Sequence, residues 1–165
     1  MTEPDTQIDL DDPTFRGYRR ADGRVGVRNV VAVIPVSVTA SAVAERLAGD
    51  AVEWVRATPH QMPLDPPDGA REQIQTVLEG IGANPNVAGA LYVSLGTERI
   101  DAEALADGVA ETGKPVETLT IRDAGGTAAA LDAGSEAVDR LTDEAREARR
   151  EDADASELVV AMEGG

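Results

Sequence analysis

Val30-Val31-Ala32-Val33-Ile34-Pro35-Val36 is the stretch on which the reading of the fold turns. It is an unbroken apolar run dominated by β-branched residues, which predicts a strand buried on both faces. Toward the C-terminus, similar short runs alternate with helical patterns. Ala40–Ala48 reads as a helix with Thr39 or Ser41 available as its cap and Gly49 at its end, and 51–57 reads as a second strand. Asp68–Ile81 places Ile74, Val77, Leu78 and Ile81 on one helical stripe, closed by Gly82. A third strand is expected over Val87–Leu95, then a helix opened by Asp101 and stopped by Gly113, then a fourth strand over Pro115–Ile121. Residues Thr127–Arg150 read as helical with a break at Gly134, and Glu157–Met162 resembles a fifth strand.

Strands separated by helices of this length make right-handed crossovers and parallel pairing. The expected fold is therefore α/β: a three-layer, mainly parallel sheet of about five strands with helices on both faces, in a Rossmann-like topology. Ligands of such sheets bind beyond the carboxyl ends of the strands. That rule nominates the loops 37–41, 58–65, 96–99, 122–127 and 163–165.

Composition narrows the classes of function. The chain has 165 residues and a formal charge of −16, from 31 acids against 15 bases. All but one of those bases are Arg, the exception being Lys114. Abundant acid with almost no Lys is expected of a protein adapted to high salt, which screens the self-repulsion; an acidic protein of ordinary habitat is the alternative. Nucleic acid and anionic membrane are poor partners for this charge. No cysteine is present, which excludes disulfides, thiolate metal sites and a Cys nucleophile. The polar N-terminus does not read as a signal peptide and no run is long enough to span a bilayer, so the cytoplasm is expected.

Charge also divides the chain. Residues 1–12 carry five acids and no base, and 1–14 are expected to be an acidic flexible tail ahead of a single α/β domain over 15–165. Residues 13–29 carry Arg16, Arg19, Arg20, Arg24 and Arg28 against Asp22 alone. Within them, Asp22-Gly23 is a turn signal and Gly26 permits close backbone approach. Such guanidiniums could grip a carboxylate bidentately or pair with the protein's own surplus acids.

Several segments together resemble the altronate/galactarate dehydratase family. Gly17-Tyr18, Asp22-Gly23-Arg24-Val25-Gly26 and Arg28-Asn29 look like the motif that opens that family's catalytic region. Asn84-Pro85-Asn86-Val87-Ala88-Gly89 resembles its His-Pro-Asn-Val-Ala-Gly, and Leu95-Gly96-Thr97-Glu98 resembles its Leu-Gly-Cys-Glu. Gly125-Gly126-Thr127 and the stretch from Arg150-Glu151 to Ser156-Glu157-Leu158 follow in the family's order. The likeness spans roughly residues 15–165 and only the first part of the family's catalytic unit. It departs at the thiols: Thr39, Thr97 and Glu163 stand where relatives carry Cys, and the His-x-x-Gly-Cys-Gly expected from His60 reads Gln61-Met62-Pro63-Leu64-Asp65.

The resemblance implies a sugar-acid dehydratase, a hydro-lyase acting on aldonic or aldaric acids such as altronate or galactarate, completed by a partner chain. A non-catalytic sugar-acid-binding or scaffolding subunit is the alternative. Dehydration requires a base, donors or a cation to hold the enediolate, and an acid for the leaving hydroxyl. His60, the single histidine, and Glu98 are the catalytic candidates, although each also reads as an ordinary surface group. Arg24, Arg28 and Asn29 would clamp the substrate carboxylate. Gly125 and Gly126 would offer amides at a helix start with Thr127, which a plain N-cap explains equally well. Glu98 with Glu163 or Asp123 could hold a hard divalent cation, Mg²⁺, Mn²⁺ or Ca²⁺, iron being disfavoured without Cys. A nucleotide-binding domain fits worse, since no Gly-x-Gly-x-x-Gly follows the first strand.

Overall fold

A computed structural model describes residues 13–49, 54–162 and 164. The chain runs β1 (Thr14–Arg19), β2 (Val25–Gly26), β3 (Val30–Pro35), α1 (Ser41–Ala48), β4 (Val55–Ala57), α2 (Asp68–Ala83), β5 (Val87–Ser94), α3 (Ala102–Ala110), β6 (Val116–Thr120), α4 (Thr127–Glu147) and β7 (Glu151–Asp154). The central sheet is four-stranded in the order β4-β3-β5-β6, and every pair in it is parallel. A small antiparallel sheet, β2-β1-β7, lies beside it.

The uniformly apolar runs do what their composition requires. Every residue of β5 is buried, and all of β3 but Val30. Alternate side chains enter two cores. Val31, Val33, Leu91 and Val93 pack against α1 and α4, while Ala32, Ile34, Ala90 and Tyr92 pack against α2 and α3. The result is three layers, with the sheet between two pairs of helices.

Several expectations need correction. The parallel sheet has four strands among the described residues. Glu157–Met162 does not extend it: Ala155–Glu157 is a 3-10 turn and the following residues are irregular, with Val159 89% and Met162 94% exposed. An apolar run supplies side chains for a strand but not a neighbouring edge to pair with, and here it meets none. The strand that does form nearby, β7, is acidic. It pairs with β1 through charge, Arg16 bridging Asp152 at 3.2 Å and Arg19 meeting Glu151 at 2.5 Å. Thr14, assigned above to the tail, already lies in β1 opposite Asp154; residues 1–12 lie outside the described residues. So does the start of the second expected strand, of which Val55–Ala57 is seen.

α4 runs unbroken through Gly134. That glycine is a packing device, since a Cβ there would meet Leu47 Cδ1 at 2.7 Å and Leu119 Cδ2 at 2.9 Å. Gly26 fulfils the close-approach reading, because a Cβ would collide with the Pro85 carbonyl. Neither Thr39 nor Ser41 caps α1, whose N-cap is Ala40 at the end of a 3-10 turn. Ser41 Oγ instead donates to His60 O at 3.5 Å, and Thr39 Oγ1 lies against Ser37 Oγ.

Candidate functional site

Strand order fixes where a site can form. From β3 the chain crosses outward to β4, and from β5 it crosses the other way to β6, so the loops after β3 and β5 diverge to opposite faces and leave a crevice between them. The nominated loops 37–41, 58–65, 96–99 and 122–127 converge at this carboxyl rim. Val38 N–H donates to Met62 O at 2.8 Å, Arg99 N–H to Leu64 O at 3.3 Å, and Arg122 N–H to Leu95 O at 3.3 Å, while Asp123 lines a cavity with Gly96, Glu98 and Arg99.

Glu98 ties the rim together. Its Oε1 accepts from Ser37 Oγ at 2.9 Å and from Leu95 N–H at 2.7 Å, and its Oε2 accepts from the amides of Gly96 and Thr97 at 2.9 and 3.1 Å. Half-burial opposes ionisation, but the donors from Leu95, Gly96 and Ser37 outweigh it and hold the carboxyl below the usual glutamate range. Thr39 Oγ1 lies 2.6 Å from Ser37 Oγ and extends the chain of hydroxyls.

His60 is fixed at the same rim. Met62 N–H donates to its Nδ1 at 3.2 Å, and its Nε2 lies 2.7 Å from Pro35 O at the end of β3. An amide can only donate and a carbonyl can only accept, so Nδ1 is the accepting nitrogen and Nε2 carries the hydrogen. Two residues earlier in the same loop, Thr58 Oγ1 is buried without a hydrogen-bond partner. Thr58 was nominated only as part of a loop; nothing in its sequence context marked its hydroxyl. A cavity of about 300 Å³ opens next to Glu98, lined by Ser94, Thr120 and Asp123 among others.

The remaining assignments fare differently. The amides of Gly125 and Gly126 are spent inside the turn, donating to Arg122 O at 3.1 Å and Ile121 O at 2.9 Å. Thr127 opens α4 at the carboxyl rim without a side-chain cap bond to the helix. Arg24, Arg28 and Asn29 precede β3 and so lie at the opposite, amino rim, about 16 Å along the strand from Pro35. One pocket shared with His60 and Glu98 is therefore not formed. Arg24 is held by Asp22 and donates to Ala83 O at 2.8 Å. Asn29 is buried, with Oδ1 accepting from Arg20 and Nδ2 donating to Ala145 O at 2.7 Å. Arg28 and Asn29 line one cavity at this rim, and Arg24 lines another.

For a cation the carboxyl rim is a poor fit. Both oxygens of Glu98 already accept from N–H and O–H donors, which point positive charge where a metal would sit. Among the described residues no group of three or more His, Asp or Glu could hold a metal ion. Glu163 lies outside them.

Comparison with known proteins places this architecture. The family described as D-galactarate dehydratase/altronate hydrolase, second domain, matches residues 17–146. The (2R)-sulfolactate sulfo-lyase subunit beta of Chromohalobacter salexigens is 35% identical over 158 residues, covering 96% of this chain and 40% of that protein. Altronate dehydratase of Bacillus subtilis is 27% identical over 165 residues, covering 92% of this chain and 32% of that protein. The chain thus spans two-fifths or less of the length of these curated relatives. No solved structure matches.

Proposed function

The chain belongs to the D-galactarate dehydratase/altronate hydrolase family, as its second domain, and from that premise we propose that it is the sheet domain of a hydro-lyase for aldonic or aldaric acids, completed by further polypeptide. The observation that carries the proposal is the convergence of four strand-end loops on Glu98 and His60 in a chain of this family. The word "subunit" in the name of one relative supports a partner chain. The finer architecture, a Rossmann-like sheet of about five strands, would be reached when that polypeptide adds to the sheet. Location in the cytoplasm and adaptation to salt are parts of the same proposal.

In the proposed reaction a base takes the proton from the carbon beside the carboxylate, the C–O bond at the next carbon breaks, and the hydroxyl departs as water after gaining a proton. The enol left behind becomes a 2-keto acid. His60 Nδ1 is the nitrogen able to take a proton, once Met62 N–H gives way to substrate, while Pro35 O holds the ring in the required tautomer. Glu98 acts as a positioning residue that sets Ser37, Thr39 and the 95–97 amides around the crevice. Thr127 is assigned to the substrate's far end. No step is routed through a cation, because Glu98 as bonded does not fit one.

A second reading is favoured by a specific observation. His60 and Glu98 have every strong hydrogen-bonding position filled from within the chain, as expected of a subunit that binds or scaffolds without turning over. One experiment separates the two. The chain is assayed with the remaining dehydratase polypeptide against galactarate and altronate, with and without Mg²⁺ or Mn²⁺, for 2-keto acid. Sulfolactate is included because one relative is named for it. Product from the mixture alone supports the enzyme; its absence under all conditions leaves the scaffold.

A further inference from the structure

The run Leu158-Val159-Val160-Ala161-Met162 is apolar and stands in solvent, with Val159, Val160 and Met162 89, 71 and 94% exposed. Leu158 N–H donates to Ala155 O at 3.1 Å, and among the described residues 159–162 have no backbone hydrogen bond. The base of the run is firm. β7 pairs with β1 over four residues, Ala155 N–H donates to Pro13 O at 2.8 Å, and Arg19 bridges Glu157 at 2.7 Å. Five uncharged residues with unpaired backbone groups, held out from a fixed base, have the makeup of a strand without a neighbour.

The sheet holds a matching open edge. Pro115 O accepts from Ala90 N–H and Ile121 N–H donates to Ser94 O, so the odd-numbered residues of β6 turn their backbone to β5. By alternation Val116, Thr118 and Thr120 turn theirs outward. Among the described residues only one of those outward groups finds a partner, Thr120 O accepting from Ala124 N–H. β6 is five residues long, against three for β4 at the other edge. Between β6 and α3 lies a groove of about 330 Å³ in which Ala106 and Ala110 leave room for incoming side chains.

Topology forbids the run from reaching this edge in its own chain. Val159 lies in a cavity with Pro85, ahead of β5, so the run starts at the amino rim and would lie parallel to β6. α1 carries the chain one way across the sheet on one face, while α2 and α3 carry it the other way on the opposite face. These three crossovers therefore share one hand. α4 lies on the face of α1, so a strand placed beyond β6 after it would make a crossover of the opposite hand, which parallel sheets almost never contain.

We infer that residues 158–162 of one chain add as a strand to β6 of a second copy, reciprocally, closing a two-fold dimer. Charge favours this occupant. The groove carries Glu103, Asp107 and Glu117 in a chain of net charge −16, and the run brings no charge to them. The contact is independent of any reaction at the carboxyl rim.

The test is sedimentation equilibrium of the full chain in about 2 M KCl, which screens repulsion between the protomers. A monomer–dimer equilibrium is expected, tighter there than in dilute salt. Val160→Asp, on the exposed run, and Thr118→Pro, which removes an outward N–H that an edge strand can spare, should each weaken it tenfold or more, with folding checked by circular dichroism. Mixing the two variants should restore association, because the intact run of Thr118→Pro meets the intact edge of Val160→Asp. Val77→Asp, on the exposed face of α2, should dimerise like the parent. The inference is overturned if the parent stays monomeric, if either variant dimerises like the parent, or if the mixture does not associate. A monomer whose 159–162 amides resist hydrogen exchange would place the run on its own chain. A monomer that binds the remaining dehydratase polypeptide through Val160 would give the run to that partner. Either result also overturns the dimer.

Discussion

Glu98 shows how a single carboxylate can tie together the loops after β3 and β5. Its carboxyl is held below the usual range by amide and hydroxyl donors that outweigh burial, so its stabilising effect is present above the unfolded-state value. It is lost as pH falls through the folded one. Glu98→Ala should therefore lower stability by about 2 kcal/mol at neutral pH, and the gap to wild type in urea unfolding should close as the solution is acidified. A gap that stays constant down to pH 3 would contradict the bonding described. Lys114 gives the same slope in a higher pH window, but there the shift disfavours the charged form. Burial, assisted by Arg20 and Arg24, pushes its ammonium down to about 8 from the usual 10.5, although it donates to Gly82 O and Asn84 O at the end of α2. Between those two values the unfolded chain binds more protons, so stability should rise with pH there. A Lys114→Met variant should lack that rise when the two are compared by urea midpoints at pH 8 and pH 10.

At the scale of elements, the parallel sheet was legible and the antiparallel one was not. Val30–Val36 and Val87–Leu95 announce themselves because burial on both faces demands uninterrupted apolar residues. β1 and β7 carry no such mark, since their pairing rests on Arg16 with Asp152 and Arg19 with Glu151; such ion pairs are invisible until the two segments meet. For the same reason, the arginine island read as a clamp for substrate spends most of its charge inside the chain. The site was legible at strand ends, through the nomination of loops 37–41, 58–65 and 96–99. The rim of Arg24, Arg28 and Asn29 also follows from their place ahead of β3, which the clamp reading did not use; their partners, Asp22, Ala83 O and Ala145 O, come from chain folding that the sequence does not show. Gly26 joins the two sheets where it presses on Pro85. Gly26→Ala should cost about 2 kcal/mol or more in urea unfolding, whereas Gly69→Ala, in the first turn of α2 with open space around it, should be neutral or mildly stabilising.

The whole molecule carries opposite potentials in different places, a positive cavity at the amino rim within a chain of net charge −16. That excess should make compaction depend on ionic strength. Raising KCl from about 0.1 M to 2 M shortens the screening length from about 10 Å to under 3 Å and should lift the melting midpoint by about 5 °C or more. A midpoint indifferent to salt would remove the case for salt adaptation. No helix among the described residues is long and apolar enough to cross a membrane.

The most direct test of the account concerns His60 at the carboxyl rim. With the completed protein turning over galactarate or altronate, 2-keto acid release is measured for wild type, His60→Gln and Arg140→Gln. The account predicts that kcat falls at least a hundredfold in His60→Gln, which keeps a hydrogen-bonding side chain but loses the basic nitrogen, and is unchanged in Arg140→Gln. Turnover by His60→Gln at the wild-type rate would contradict it.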